Sequence, residues 1–135
     1  MNPLVASLLV GAGGCFGSVA RYGMSLVCQR ISVEWPYGTL SANILGCFVI
    51  GFIASLSEQT EAITPGVRLL LTTGFCGGFT TMSSMIYETA EMLRSGEYVH
   101  ASFYVCFTGF ACLVAFVLGL LMIRFFAKLG GGLWN

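Results

Sequence analysis

Charge is what this sequence has least of. Among 135 residues there is no Asp, one Lys and one His, and charged residues make up only 9% of the chain. Soluble domains carry about 25% charged residues, so a water-soluble domain is not expected. With one His and no Asp, metal-assisted hydrolysis has little to build on. Six cysteines are present, yet no C-x-x-C pair occurs, which signals neither a disulfide framework nor a zinc site. No nucleophile–base pair or phosphate loop is visible, and no basic stretch suggests nucleic acid, so neither an enzyme nor a nucleic-acid binder is expected.

What is present is apolar: 56% of residues are hydrophobic and the mean hydropathy is +0.86. Four uncharged runs cover residues 3–20, 35–57, 69–87 and 98–123. About 20 apolar residues cross a bilayer core as a helix. The expectation is an all-α membrane protein forming a single four-helix transmembrane domain over residues 1–135, with spans at about 3–28, 38–57, 66–94 and 98–127. No Lys or Arg precedes Arg21, so the first run lacks the basic region of a signal peptide and is taken as a span.

Four spans put both termini on one side. Arg68, Arg124 and Lys128 fall on that side and Arg21, Arg30 and Arg94 on the other, three against three. Orientation follows the excess of Lys and Arg in cytoplasmic loops, and here there is none. The expectation is dual topology, with an antiparallel pair of chains in the bilayer.

Polar residues inside the runs are the candidates for function. Gly13 and Gly17 stand four apart, a spacing that lets helices approach closely. Arg21 ends the first run and either snorkels or lends positive charge to a wet entry. Asn43 lies roughly 8 Å along a helix from Gly38; a carboxamide at that depth faces a partner or an aqueous cavity. It either bridges two helices or donates its amide protons to a passing anion.

The third run contains "TTGFCGGFTTMSSM", with six hydroxyl side chains and the pair Gly77-Gly78. Adjacent glycines invite a helix break, which at membrane depth is tolerated only where the backbone is buried in protein or lines a cavity. Freed carbonyls suit a small cation, and the next helix N-terminus favours negative charge. On a helix, Thr80, Thr81, Ser83, Ser84, Tyr87 and Glu88 gather on a face about 160° wide, with Met82, Met85 and Ile86 covering the rest. Such a face is either interhelical glue or a permeation track. In the fourth run Tyr104 offers a phenolic donor or aromatic packing, and Arg124 and Lys128 end the helix as snorkelling cations.

The segments "WPYGTLSANILGCF" and "GFCGGFTTMSSM" resemble the two signature segments of the Fluc (CrcB) family of bacterial fluoride channels. The resemblance runs over all four spans in order. It implies a multi-pass protein of the bacterial inner membrane that exports cytoplasmic fluoride passively. It also implies an antiparallel homodimer with two pores and a third helix broken near Gly77-Gly78. A Na⁺ ion is implied at the dimer centre, held by the backbone carbonyls of Gly77 and Thr80. Asn43 matches the pore amide, Ser83 and Ser84 a hydroxyl track, Tyr104 a pore tyrosine, Glu88 a residue near the pore mouth, and Arg21 a basic residue of the first helix.

The sequence departs from that pattern where Met82 and Met85 stand in place of the usual phenylalanines and Ser84 in place of Thr. Phenylalanines present electropositive ring edges to an anion, and a thioether does not. One alternative is therefore a non-conducting subunit of a heterodimeric fluoride channel. Another is a small multidrug or guanidinium antiporter, but proton coupling there wants a carboxylate within the first span, which has none.

Overall fold

A computed structural model describes residues 1–30, 35–60 and 63–129, and among these every regular element is helical. Helix α1 covers Pro3–Gln29 and α2 covers Tyr37–Gln59. The third span is a series of pieces: α3 (Pro65–Leu69), a π-helical segment (Leu70–Cys76), α4 (Gly77–Phe79) and α5 (Met82–Arg94). Helix α6 covers Tyr98–Leu129. Four stretches are long and apolar enough to cross a membrane: Pro3–Gln29, Tyr37–Gln59, Pro65–Arg94 and Tyr98–Lys128.

Local chemistry sets the helix ends. Asn2 accepts from the Leu4 amide ahead of Pro3, and Thr64 accepts from the Val67 amide ahead of Pro65. In both cases the side chain satisfies an orphan donor and Pro occupies a position where its missing N–H costs nothing. The link from α5 to α6 turns at Gly96, whose φ of +78° suits a residue without a Cβ. The Glu97 amide there bonds the Met92 carbonyl at 2.9 Å, closing the helix end.

Two helix pairs are built on glycine. In the first, a Cβ on Gly13 would overlap the Leu70 carbonyl, one on Gly17 the Phe75 carbonyl, and one on Gly78 the Gly14 carbonyl. Helix α1 and the first half of the third span thus pack backbone against backbone. In the second, a Cβ on Gly51 would overlap the Phe116 carbonyl and one on Gly119 the Phe48 carbonyl, which seats α2 against α6. With no hydrophobic driving force between helices in lipid, close packing of this kind supplies the association.

The third span differs in detail from the sequence expectation. Gly77 and Gly78 are themselves helical, and the extended residues are the two threonines that follow, Thr80 (φ −80°, ψ 154°) and Thr81 (φ −152°, ψ 113°). The reason is packing: Gly78 is used for contact with α1, while the threonines bring side chains that bond the backbone. Arg124 is also more than a snorkelling cation, since it reaches Glu58 of α2 at 3.4 Å.

The glycine seam is testable by contrast. Gly17→Ala forces a Cβ into the Phe75 carbonyl, and overpacking of that kind costs about 1–3 kcal/mol. Gly11→Ala meets nothing within 4 Å. Thermal unfolding in detergent is expected to fall clearly for the first and to stay at or above the parent for the second.

Candidate functional site, a buried polar seam

Thr80 and Thr81 leave backbone groups that no helix satisfies, and α2 answers them. The Asn43 Oδ1 accepts from the Thr81 amide at 2.7 Å, and the Asn43 Nδ2 donates to the Thr81 carbonyl at 3.1 Å. One carboxamide therefore closes both backbone groups of one residue, as a neighbouring strand would. Asn43 is buried, and one of its two N–H donors is not used by this pair. Beside it, Gly46 makes room for the Thr80 methyl.

On the α5 side, Thr81 is the N-cap. Its hydroxyl accepts from the Ser84 amide at 3.1 Å and bonds the Ser84 hydroxyl at 3.0 Å. On the α4 side, the Thr80 hydroxyl returns to the Cys76 carbonyl at 2.9 Å. Arg21 of α1 donates through Nε to the Gly78 carbonyl at 3.2 Å. The basic residue of the first span thus caps the end of α4.

A second layer lies about one helical turn away along α2. Thr39 donates to Glu88 Oε1 and Tyr104 donates to Glu88 Oε2, the latter at 2.7 Å. Tyr104 is only 1% exposed. Three helices, α2, α5 and α6, meet on that one carboxylate. Thr108, also buried, bonds the Tyr104 carbonyl at 2.6 Å. Thr39 and Glu88 form part of the wall of a cavity of about 410 Å³, shared with Ser25, Cys28, Tyr87 and Trp35. Trp35 packs edge-on against His100 and Phe103 beside it, and His100 approaches Glu97 at 3.5 Å.

The structure brings together Asn43, Ser84, Glu88 and Tyr104, and joins Arg21 to the carbonyl next to Gly77. The hydroxyl face is not all buried. Ser83 lies on the exposed side of α5, where its hydroxyl meets that of Thr81 at 3.1 Å, and Met82 is 72% exposed, whereas Met85 is 8% exposed and points into the protein. Thr80, Thr81, Ser84 and Glu88 are turned inward and Ser83 and Tyr87 outward, and a methionine shares the inward side. Thr39 and Thr108 belong to the seam and were not singled out by sequence reasoning. The signal was available as spacing, since Thr39 lies four before Asn43 and Thr108 four after Tyr104.

The Gly77 and Thr80 carbonyls can be tested as cation ligands from the hydrogen bonds around them. The Thr81 amide, which would close a helical turn onto Gly77, goes to Asn43 instead. The Ser84 amide, which would close one onto Thr80, goes to the Thr81 hydroxyl. Both carbonyls are left without their helical donor, and bare carbonyl oxygens are the hard ligands a small cation takes.

Four spanning helices around a buried seam of hydrogen-bonded polar side chains define an integral membrane protein. The family model described as "CrcB-like protein, Camphor Resistance (CrcB)" matches residues 8–120. The chain is 46% identical to a fluoride-specific ion channel FluC of Chlorobium phaeobacteroides, over 96% of this chain and 97% of that protein. It is 51% identical to a protein of the same name from Chlorobaculum tepidum, over 78% of this chain and 86% of that one. A third, from Sorangium cellulosum, is 41% identical over 85% of this chain. The chain belongs to the CrcB family and is a multi-pass protein of the bacterial inner membrane.

The Asn43–Thr81 pair gives a direct test. Asn43→Ala leaves two buried backbone groups unmatched, each costing about 1–3 kcal/mol. The expected result is a loss of about 2 kcal/mol or more in detergent unfolding. Ser83→Ala, on the exposed side of α5, is expected to change it by less than about 0.5 kcal/mol.

Proposed function

We propose that this chain is a fluoride-selective channel through which cytoplasmic fluoride leaves passively down its electrochemical gradient. The observation that carries the reading is its 46% identity, over nearly its whole length, to a protein named as a fluoride-specific ion channel. The seam supplies a physical account of how such an ion passes.

Fluoride is small and strongly hydrated, so a path for it must replace water with hydrogen-bond donors. The seam offers the second Asn43 N–H, the hydroxyls of Ser84, Thr39 and Tyr104, and the N-terminus of α5, whose dipole favours negative charge. Thr39 and Tyr104 now give their protons to Glu88. An arriving anion competes with that carboxylate for the same two donors, and each hydroxyl swings between them. Glu88 holds the hydroxyls in place and keeps any anion from binding too tightly, since conduction requires weak binding.

The functional unit is an antiparallel homodimer with two pores. The balanced Lys and Arg count supports dual insertion, and the single chain leaves apolar side chains such as Phe16, Met82, Tyr87 and Phe110 exposed for a second copy or for lipid. The interruption in the third span is the centre of this assembly. The carbonyls of Gly77 and Thr80 would hold Na⁺ there, where the ion supplies positive charge at mid-membrane. Arg21, donating to the intervening Gly78 carbonyl, orients that ligand loop.

Purified protein in liposomes, followed with a fluoride electrode, is expected to release fluoride well above empty vesicles; release no greater than theirs overturns the homomeric channel. Met82→Phe adds an aromatic edge at an exposed position. Edge contacts of about 0.5–1.5 kcal/mol correspond to an efflux increase of about 2- to 10-fold. Met85→Phe enlarges a buried side chain and is expected to cost about 1–3 kcal/mol of stability instead.

A further inference from the structure

The helices α2 and α6 run parallel, both being separated from the third span by one reversal, and two of the places where they meet share one numerical offset. Thr39 and Tyr104 meet on Glu88, and Gly51 meets Phe116. Each pair is 65 residues apart. Stepping by four along both helices gives a ladder: Thr39/Tyr104, Asn43/Thr108, Cys47/Cys112, Gly51/Phe116. Cys47 and Cys112 are therefore bracketed by two observed contacts in the same register. That register makes them near neighbours, and both are half-buried rather than sealed. Cys76 of the third span is near enough to Cys47 to interact with it. Among the described residues no set of three His, Cys, Asp or Glu gathers to hold a metal, so the arrangement is a pair.

We propose that Cys47 and Cys112 form a two-thiol site for a thiophilic cation, of the class of Cu⁺, Ag⁺ and Hg²⁺, and that filling it blocks the seam. Soft thiolates select soft cations, and this class accepts two sulfurs in line. A metal–sulfur bond of about 2.3 Å on each side spans about 4.6 Å between sulfurs, more than twice the length of a disulfide bond of about 2.0 Å. On binding, each thiol gives a proton to water and each sulfur donates a pair to the cation; nothing is oxidised or reduced. The bound ion sits one helical turn beyond the Asn43/Thr108 rung, where it pins α2 to α6 and places positive charge and bulk beside the path. The blocking half rests on the fluoride reading above; the site itself does not.

Mercury(II) chloride is the probe. The full chain in detergent is loaded with it, washed with an approximately tenfold excess of 2-mercaptoethanol at micromolar concentration, and analysed for metal. A monothiol at that level strips mercury held by one sulfur but not by two, whose mutual effective concentration is of order millimolar. The expected result is about one mercury per chain, with a thiolate-to-metal ultraviolet band. Cys47→Ser and Cys112→Ser are each expected to lower retention by about tenfold or more, and Cys76→Ser and the exposed Cys15→Ser to leave it unchanged. No retained mercury in the parent chain, or full retention in both Cys47→Ser and Cys112→Ser, overturns the site. Cys47→Ala and Cys112→Ala, which keep a small apolar side chain, repeat the retention test where a serine variant fails to fold, with the same outcomes expected. In liposomes that already release fluoride, mercury is expected to stop efflux and a dithiol to restore it. Bound mercury with undiminished efflux overturns the block alone. Absence of efflux before any metal is added is a failure of the fluoride reading, and the detergent measurement stands apart from it.

Discussion

The hydrogen-bonded pair between Asn43 and Thr81 is the constraint on which the rest of the site depends. A backbone that leaves the helical path inside a membrane must find partners for its polar groups, because lipid offers none. Asn43 provides both partners at once, at 2.7 and 3.1 Å. By taking the Thr81 amide away from the helical ladder, the same pair leaves the Gly77 carbonyl without its usual donor. Anchoring of the interruption and exposure of carbonyl oxygen are therefore one event. Arg21 and the Thr80 and Thr81 hydroxyls complete it by capping what Asn43 does not reach.

The second organising feature is the parallel packing of α2 on α6. Gly51 and Gly119 let the two backbones touch, and that contact fixes their rotation. Once rotation is fixed, every fourth residue on each helix enters the same seam. A hydroxyl layer at Glu88, an amide layer at Asn43 and a thiol layer at Cys47 then follow in sequence from one end toward the middle. Glu88 of α5 is reached from two other helices, so this end of the seam is a joint as well as a charge.

The membrane class, the four spans and the family could be read from the chain itself. Long uncharged runs are local properties, and the two signature segments are contiguous. That Asn43 and Tyr104 would find partners was legible, because a carboxamide or a phenol in an apolar run calls for one. The role of Asn43 was not legible, since a carboxamide at depth suits bridging helices and serving an ion alike; the structure shows the bridge, with one donor still over. Adjacent glycines point to a break at Gly77 and Gly78, yet tertiary contact with Gly14 uses Gly78 for packing and the extended residues are Thr80 and Thr81.

By itself the sequence determined how many times the chain can cross a bilayer, where each span begins, and which uncommon polar residues lie at depth. Those follow from transfer free energy and from capping, both of which sum over neighbours in the chain. Only the tertiary structure decided which part of the α5 hydroxyl stripe turns inward, why Met85 is buried while Met82 is not, and which residues share a rung between α2 and α6. These depend on the rotation of each helix about its axis, which is set by glycine contacts between segments far apart in sequence.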